Sequence, residues 1–230
     1  MFKLYSTMLQ PQTIQFLKDL RENNSKPWFD THRKTYETAK KNFAEVVDAV
    51  IKGLEKFDRD IQESNLQVKD CTFRINRDVR FSKDKSPYKN NFGASFNAGG
   101  KKAHEAGYYL HIDSVEYFLA GGIWMPEAND LKKIREEIDY NFEEFTSIIN
   151  KSSFKKFFPN GLDREAFTIR PPKGYEETNP AIEFLKLKSF TVSHTIDASK
   201  ILGKDFIPTI LEGFEAMQPY VIFMNRAIKG

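Results

Sequence analysis

Apolar residues recur along this chain on two different periods, and the period changes twice. From Pro11 to Glu22, Ile14, Leu17 and Leu20 fall at helical spacing, which predicts a helix over 11–22 with a proline in its first turn. Asn23-Asn24-Ser25 breaks that helix, and Ser25 is the expected cap of the next. Phe29, Tyr36, Phe43, Val50 and Phe57 then stand seven apart. They predict a long helix near 26–57 with one face turned to a sheet.

Between 71 and 125 the spacing drops to two. Phe73-Ile75 and Val79-Phe81 alternate with polar neighbours, as do Phe92-Ala94-Phe96, Tyr108-Leu110-Ile112 and Phe118-Ala120-Gly122-Trp124. Asn97-Ala98-Gly99-Gly100 and Asp113-Ser114 supply turns. Strands joined so closely pair antiparallel. The sheet is therefore expected over about 70–125, with a further strand near 189–196, and Trp124 reads as core. Helical spacing returns after Pro126 through Leu131, Ile134 and Ile138, and Asn141 with Glu144 has the spacing of a capping box. Asn179-Pro180 opens a helix expected to reach about Leu187. The last begins near Asp205, with Phe206, Ile210, Phe214 and Met217 inward and Pro219 kinking or restarting it. Helices, then strands, then helices make an α+β fold, an antiparallel sheet packed against helices. No segment has the composition of a linker, so 1–230 reads as a single domain.

Composition narrows the class. The only cysteine among the 230 residues is Cys71, which excludes a disulfide framework and a cysteine zinc site and favours a reducing compartment. MFKLYSTMLQPQ lacks the features of a signal peptide, and no apolar run approaches the ~18 residues of a membrane span. A cytoplasmic protein is expected, without membrane contact. The net charge of +3 is small, but residues 73–90, FRINRDVRFSKDKSPYKN, hold six cations against two carboxylates. That local +4 exceeds the whole, so the rest of the chain is slightly acidic.

As a strand, 72–81 turns Phe73, Ile75, Val79 and Phe81 one way and Arg74, Asn76, Asp78 and Arg80 the other, with Arg77 on the apolar side. A guanidinium there must find a carboxylate, carbonyls, or a bulge that turns it outward. Two readings stand. Arg77 and Asp78 belong to an internal ion network, or Arg74, Arg77 and Arg80 frame an anion site, since planar forks suit phosphate and carboxylate. In the second reading Lys85 and Lys89 add cations and Tyr88 donates a hydrogen bond. The chain contains no GxxxxGK[ST] phosphate loop, and no particular cofactor is indicated. A separate constellation is GYYLHIDS, where Tyr109, His111 and Asp113 share one strand face. His111 is the candidate general acid/base and Asp113 its orienter; a merely polar, wet sheet face is the other reading. His32, His104 and His194 complete no HxxxH or HExxH spacing, so no metal ligands are assigned. Arg170-Pro171-Pro172-Lys173-Gly174-Tyr175 reads as an exposed basic loop.

The signature Arg74-xx-Arg77-Asp78-x-Arg80-Phe81-xxx-Lys85-xx-Tyr88 resembles the RxxRDxRFxxxKxxY of a bacterial domain-of-unknown-function family. Its members are about 230 residues long, and the region also occurs within longer fungal proteins. Asn24 with Trp28-Phe29, AGYYLHI at 106–112, WMPEA at 124–128, PKGY at 172–175 and LKSFTVS at 187–193 resemble it too. The resemblance brings no ligand or catalytic residue with it. The residues themselves favour binding, with or without turnover, of a small phosphate- or carboxylate-bearing molecule at 74–89. A nucleic-acid module stacking bases on Tyr88, Tyr109 or Phe92, and an interaction protein with structural arginines, remain as alternatives. The oligomeric state is left open.

Overall fold

A computed structural model describes residues 8–230; the segment read above as lacking a signal peptide lies, up to Thr7, outside them. The described chain is α+β, with ten helices and four strands. In chain order the strands are β1 (Asn91–Phe96), β2 (Gly107–Asp113), β3 (Tyr117–Ile123) and β4 (Phe190–Thr195), and they form one antiparallel sheet in the order β1-β2-β3-β4. The chain divides into two compact units. One holds residues up to 101 with 109–119 and 195–212; the other holds 102–108, 120–194 and 213–230.

In the first unit α1 (Pro11–Glu22) packs on α3 (Arg33–Leu54), and α3 also contacts β1. Leu17, Leu20, Val46, Val47, Val50 and Leu54 are wholly buried. Phe92 of β1 stacks on Phe43 at 5.3 Å and on Phe16 at 6.3 Å. The long helical run holds but is divided: α2 (Lys26–Thr31) ends at His32, whose φ of −101° and ψ of 16° leave the helix. Side chains draw off the carbonyls of the first turn. Thr31 Oγ1 donates to Trp28 O at 2.8 Å, and the His32 ring lies 2.8 Å from the same oxygen, a local competition that loosens the ladder. Two short helices follow, α4 (Arg59–Ser64) and α5 (Val68–Cys71).

The second unit contains α6 (Ala128–Tyr140), α7 (Phe142–Asn150), α8 (Ser152–Phe157), α9 (Ile182–Leu185) and most of α10 (Phe206–Lys229). Phe145 is its hub, 4.9 Å from Phe184 and 5.5 Å from Phe223. Asn141 and Glu144 do not form the expected capping box. Asn141 donates back to Glu137 at 2.9 Å, while Arg226 takes the Glu144 carboxylate with a fork at 3.0 and 2.7 Å. Pro219 does not interrupt α10, which runs through it. The helix expected to reach Leu187 from Asn179 is the single turn of α9.

Along the sheet, one face is buried and the other half-open, as antiparallel sheets allow. Phe92, Ala94, Phe96, Tyr108, Leu110, Ile112, Tyr117 and Leu119 are buried; Asn91, Ser95, Tyr109, His111, Asp113 and Phe118 are half-exposed. In β3 the buried register is Tyr117, Leu119 and Ile123, one residue away from the register that Phe118, Ala120, Gly122 and Trp124 suggest. A one-residue slip exchanges the faces of a strand. Trp124 is accordingly 63% exposed, beside Met125 in the left-handed region at φ 46°. Gly122 permits the close approach of β4: at its φ of 105°, a Cβ would lie 2.0 Å from Phe190 O.

Candidate anion site and the Tyr109–His111 pair

The expected strand over 72–81 is instead one limb of an irregular arm, residues 73–90. Two isolated antiparallel bridges hold it, Thr72 opposite Ala94 and Asn76 opposite Tyr88. The Arg77 N–H donates to Pro87 O at 2.9 Å and the Lys89 N–H to Ile75 O at 2.7 Å. Beyond the second bridge no ladder continues, so nothing enforces alternation. Of the four apolar residues assigned to the core, Ile75 is buried at 4% exposure, while Phe73 and Phe81 are exposed and Phe81 reaches 95%.

Tyr88 took the opposite course. It is 5% exposed and its ring stacks on Phe29, centroids 4.0 Å apart. Asn24 clamps its backbone from both sides, donating to Tyr88 O at 2.9 Å and accepting from Tyr88 N at 3.1 Å. The same amide nitrogen reaches Asn90 Oδ1 at 2.8 Å. A side chain here supplies the pairing that a neighbouring strand would give.

The cations of the arm fall into two groups. Arg77 is ion-paired with Asp84 and lies 3.4 Å from Ser82 Oγ; the pair, with help from Ser86, holds the Asp84 carboxyl well below its usual range. Arg80 closes a fork on Asp78 at 2.6 and 3.0 Å. Both arginines are thus tied within the arm, outside the core. Lys85 Nζ donates to Val79 O at 2.9 Å. Arg74, Lys83 and Lys89 form no ion pair among the described residues, though the Asp78 pKa is lowered by the bonds from Arg80 and then by the Arg74 charge. Lys89 is half-buried with Nζ 5.3 Å from the centre of the Phe73 ring; burial and then the nearby Arg74 charge push its pKa down.

Phe73 links this end of the arm to the open sheet face. Its ring meets Tyr109 edge-on at 6.3 Å. The Tyr109 hydroxyl lies 3.2 Å from His111 Nδ1, and Asn91 Nδ2 lies 3.4 Å from the same nitrogen. With the amide nitrogen turned to the ring, Nδ1 is the acceptor and the neutral imidazole carries its proton on Nε2. His111 also stacks on Phe118, centroids 4.5 Å apart. Burial lowers its pKa, opposed by Asp113 and Glu116, and burial raises the Tyr109 phenol to about 12. Asp113 does not bond His111. Its Oδ1 accepts from Ser114 Oγ at 2.8 Å and Val115 N at 3.2 Å, and Arg21 stands 3.4 Å away. It organises the β2–β3 turn.

Gly93 and Asn91 were not singled out by sequence. A Cβ at Gly93 would stand 2.6 Å from the Tyr109 hydroxyl, so the bare backbone makes room for the Tyr109–His111 contact. A glycine inside a strand is the available signal of such an approach. Among the described residues no three His, Cys, Asp or Glu side chains gather as a metal site, and no helix is long and apolar enough to cross a membrane.

Within the signature, Arg77, Arg80 and Tyr88 hold the arm together, while Arg74 makes no ion pair among the described residues. The model of a conserved hypothetical protein family, DUF2461, matches residues 12–223. The chain belongs to this family. No curated protein and no solved structure matches it. In this DUF2461 chain a pocket of about 210 Å³ lined by Phe158, Leu162, Arg164 and Phe184 lies within the second unit and contains none of the candidate residues.

Proposed function

We propose that this chain binds a small phosphate- or carboxylate-bearing ligand at Arg74 and Lys89, next to the Tyr109–His111–Asn91 group. The observation that carries the reading is the Arg74–Lys89 pair: two neighbouring cations, neither bound to a carboxylate, with the ammonium already depressed in pKa by burial and by its neighbour. An anion between them would relieve both the repulsion and the desolvation. Arg77 and Arg80, bound to Asp84 and Asp78, shape the arm in this reading, and Tyr88 anchors it. Turnover would run through His111 as the general acid/base, its Nε2 side turned to the ligand. The single buried thiol of Cys71, its pKa raised to about 12, suits a reducing compartment such as the cytoplasm.

A thermal-shift panel of phosphate, sugar phosphates and small carboxylates tests the proposal. A ligand at ~100 times its dissociation constant adds about 2.7 kcal/mol. The expected result is stabilisation that Arg74→Ala and Lys89→Ala each remove and Arg77→Ala leaves in place. A flat panel with the unaltered protein defeats the proposal.

A further inference from the structure

Resting on the anion site of that reading, we infer that the arm extends it for a larger ligand: a single-stranded nucleic acid whose phosphate enters between Arg74 and Lys89 and one of whose bases stacks on Phe81. The charge of the arm reaches beyond the site of a compact ligand. Asp78 and Asp84 are consumed by Arg80 and Arg77, so the local excess is carried by Arg74, Lys83, Lys85 and Lys89. Arg74 and Lys89 flank the base of the arm, while Lys83 and Lys85 lie beyond the Asn76–Tyr88 bridge, toward the tip. Four cations strung along an arm, rather than ringing one point, match a chain of phosphates.

Phe81 supplies the second requirement. It is 95% exposed at that tip, with Arg80 5.7 Å from its ring centre. An exposed phenyl ring on a basic arm is an arrangement on which bases stack in sequence-tolerant binding. A lipid surface fits less well, because the tip offers one aromatic ring where interfacial anchoring needs a broad apolar face. Of the rings that sequence offered for stacking, Tyr88 and Phe92 are each 5% exposed and Tyr109 is half-exposed.

The test is fluorescence anisotropy of labelled twelve-nucleotide DNA and RNA single strands, across a salt series, with wild type, Phe81→Ala and Arg74→Ala/Lys89→Ala. Phosphate and anionic vesicles are run beside them. Four cations on a single strand give a slope of log affinity against log salt of at most roughly −3. Expected is a slope near that value, made shallower by about 1.4 in the double variant. Phe81→Ala weakens binding about 5- to 150-fold and leaves the slope alone. Phe81 touches no core, and the urea midpoint of its variant confirms that it folds. Equal binding by Phe81→Ala overturns the inference, as does binding to vesicles but not to oligonucleotides. Stabilisation by phosphate with no oligonucleotide bound overturns it while leaving the anion site standing; neither phosphate nor oligonucleotide bound defeats both.

Discussion

The arm at 73–90 and strand β2 look alike in sequence, each alternating apolar and polar residues, yet only β2 keeps the alternation. β2 is paired on both sides, by β1 and β3, and every second residue from Tyr108 to Ile112 is buried. The arm has two isolated bridges, and its four apolar residues separate into one buried, one half-buried and two exposed. Alternation therefore reports a strand only where ladders on its flanks fix which way each residue points. Where they are missing, individual contacts decide: Phe29 and Asn24 take Tyr88 inward, and ion pairs within the arm leave Phe81 outside.

That contrast is sharpest in stability. Leu110→Ala, at a fully buried position of β2, is expected to cost about 2–5 kcal/mol by urea denaturation. Phe81→Ala in the arm should stay within about 0.5 kcal/mol. Similar losses for the two would erase the distinction. Next comes Gly93→Ala, whose new Cβ meets the Tyr109 hydroxyl and should cost about 1–3 kcal/mol through overpacking. Its sharper readout is the His111 ring in NMR, which should lose the signature of a Tyr109 partner.

His111 gives a smaller, pH-dependent effect. Its folded pKa is lowered by burial, against 6.5 in the unfolded chain. Above pH 6.5 both states are neutral at this ring and the full stability is present. As pH falls below 6.5 the unfolded chain takes up the proton first, so stability declines until the folded pKa is reached. An NMR titration should find the midpoint below 6.5, and His111→Gln should flatten the decline; a midpoint above 6.5 would contradict the burial. Smallest is Arg77→Ala. Its pair joins a half-buried guanidinium to the exposed Asp84 carboxylate, and such pairs at the surface contribute little, so its urea midpoint should move little. A large loss would mean that the arm has a buried ion network after all.

Much of the fold was legible for a definite reason. Helices α1 and α3 and strand β2 bury one face each, and burial of one face is what periodicity records. The failures share a cause as well. Trp124 and β3 slipped by one residue because GGIWMP has apolar side chains on both registers, and the turn at Met125 chooses between them. For His111, Tyr109 and Asp113 both stand two residues away, so spacing alone could not tell partner from bystander. The ion pairing of the arm had two readings in sequence, and the distances from Arg77 to Asp84 and from Arg80 to Asp78 are what separate the cations that are taken from those that are not.

The clamp of Asn24 on Tyr88 has a consequence for motion. The Tyr88 amide is protected by a side chain at the α1–α2 junction, while the Arg77 amide next to it in space answers to Pro87. In hydrogen exchange, Tyr88 should therefore open together with the start of α2 and slowly, as a latch does. Amides from Asp78 to Asp84, tied only by exposed pairs, should exchange far sooner. The base of the arm would keep time with the helices and its tip with the solvent.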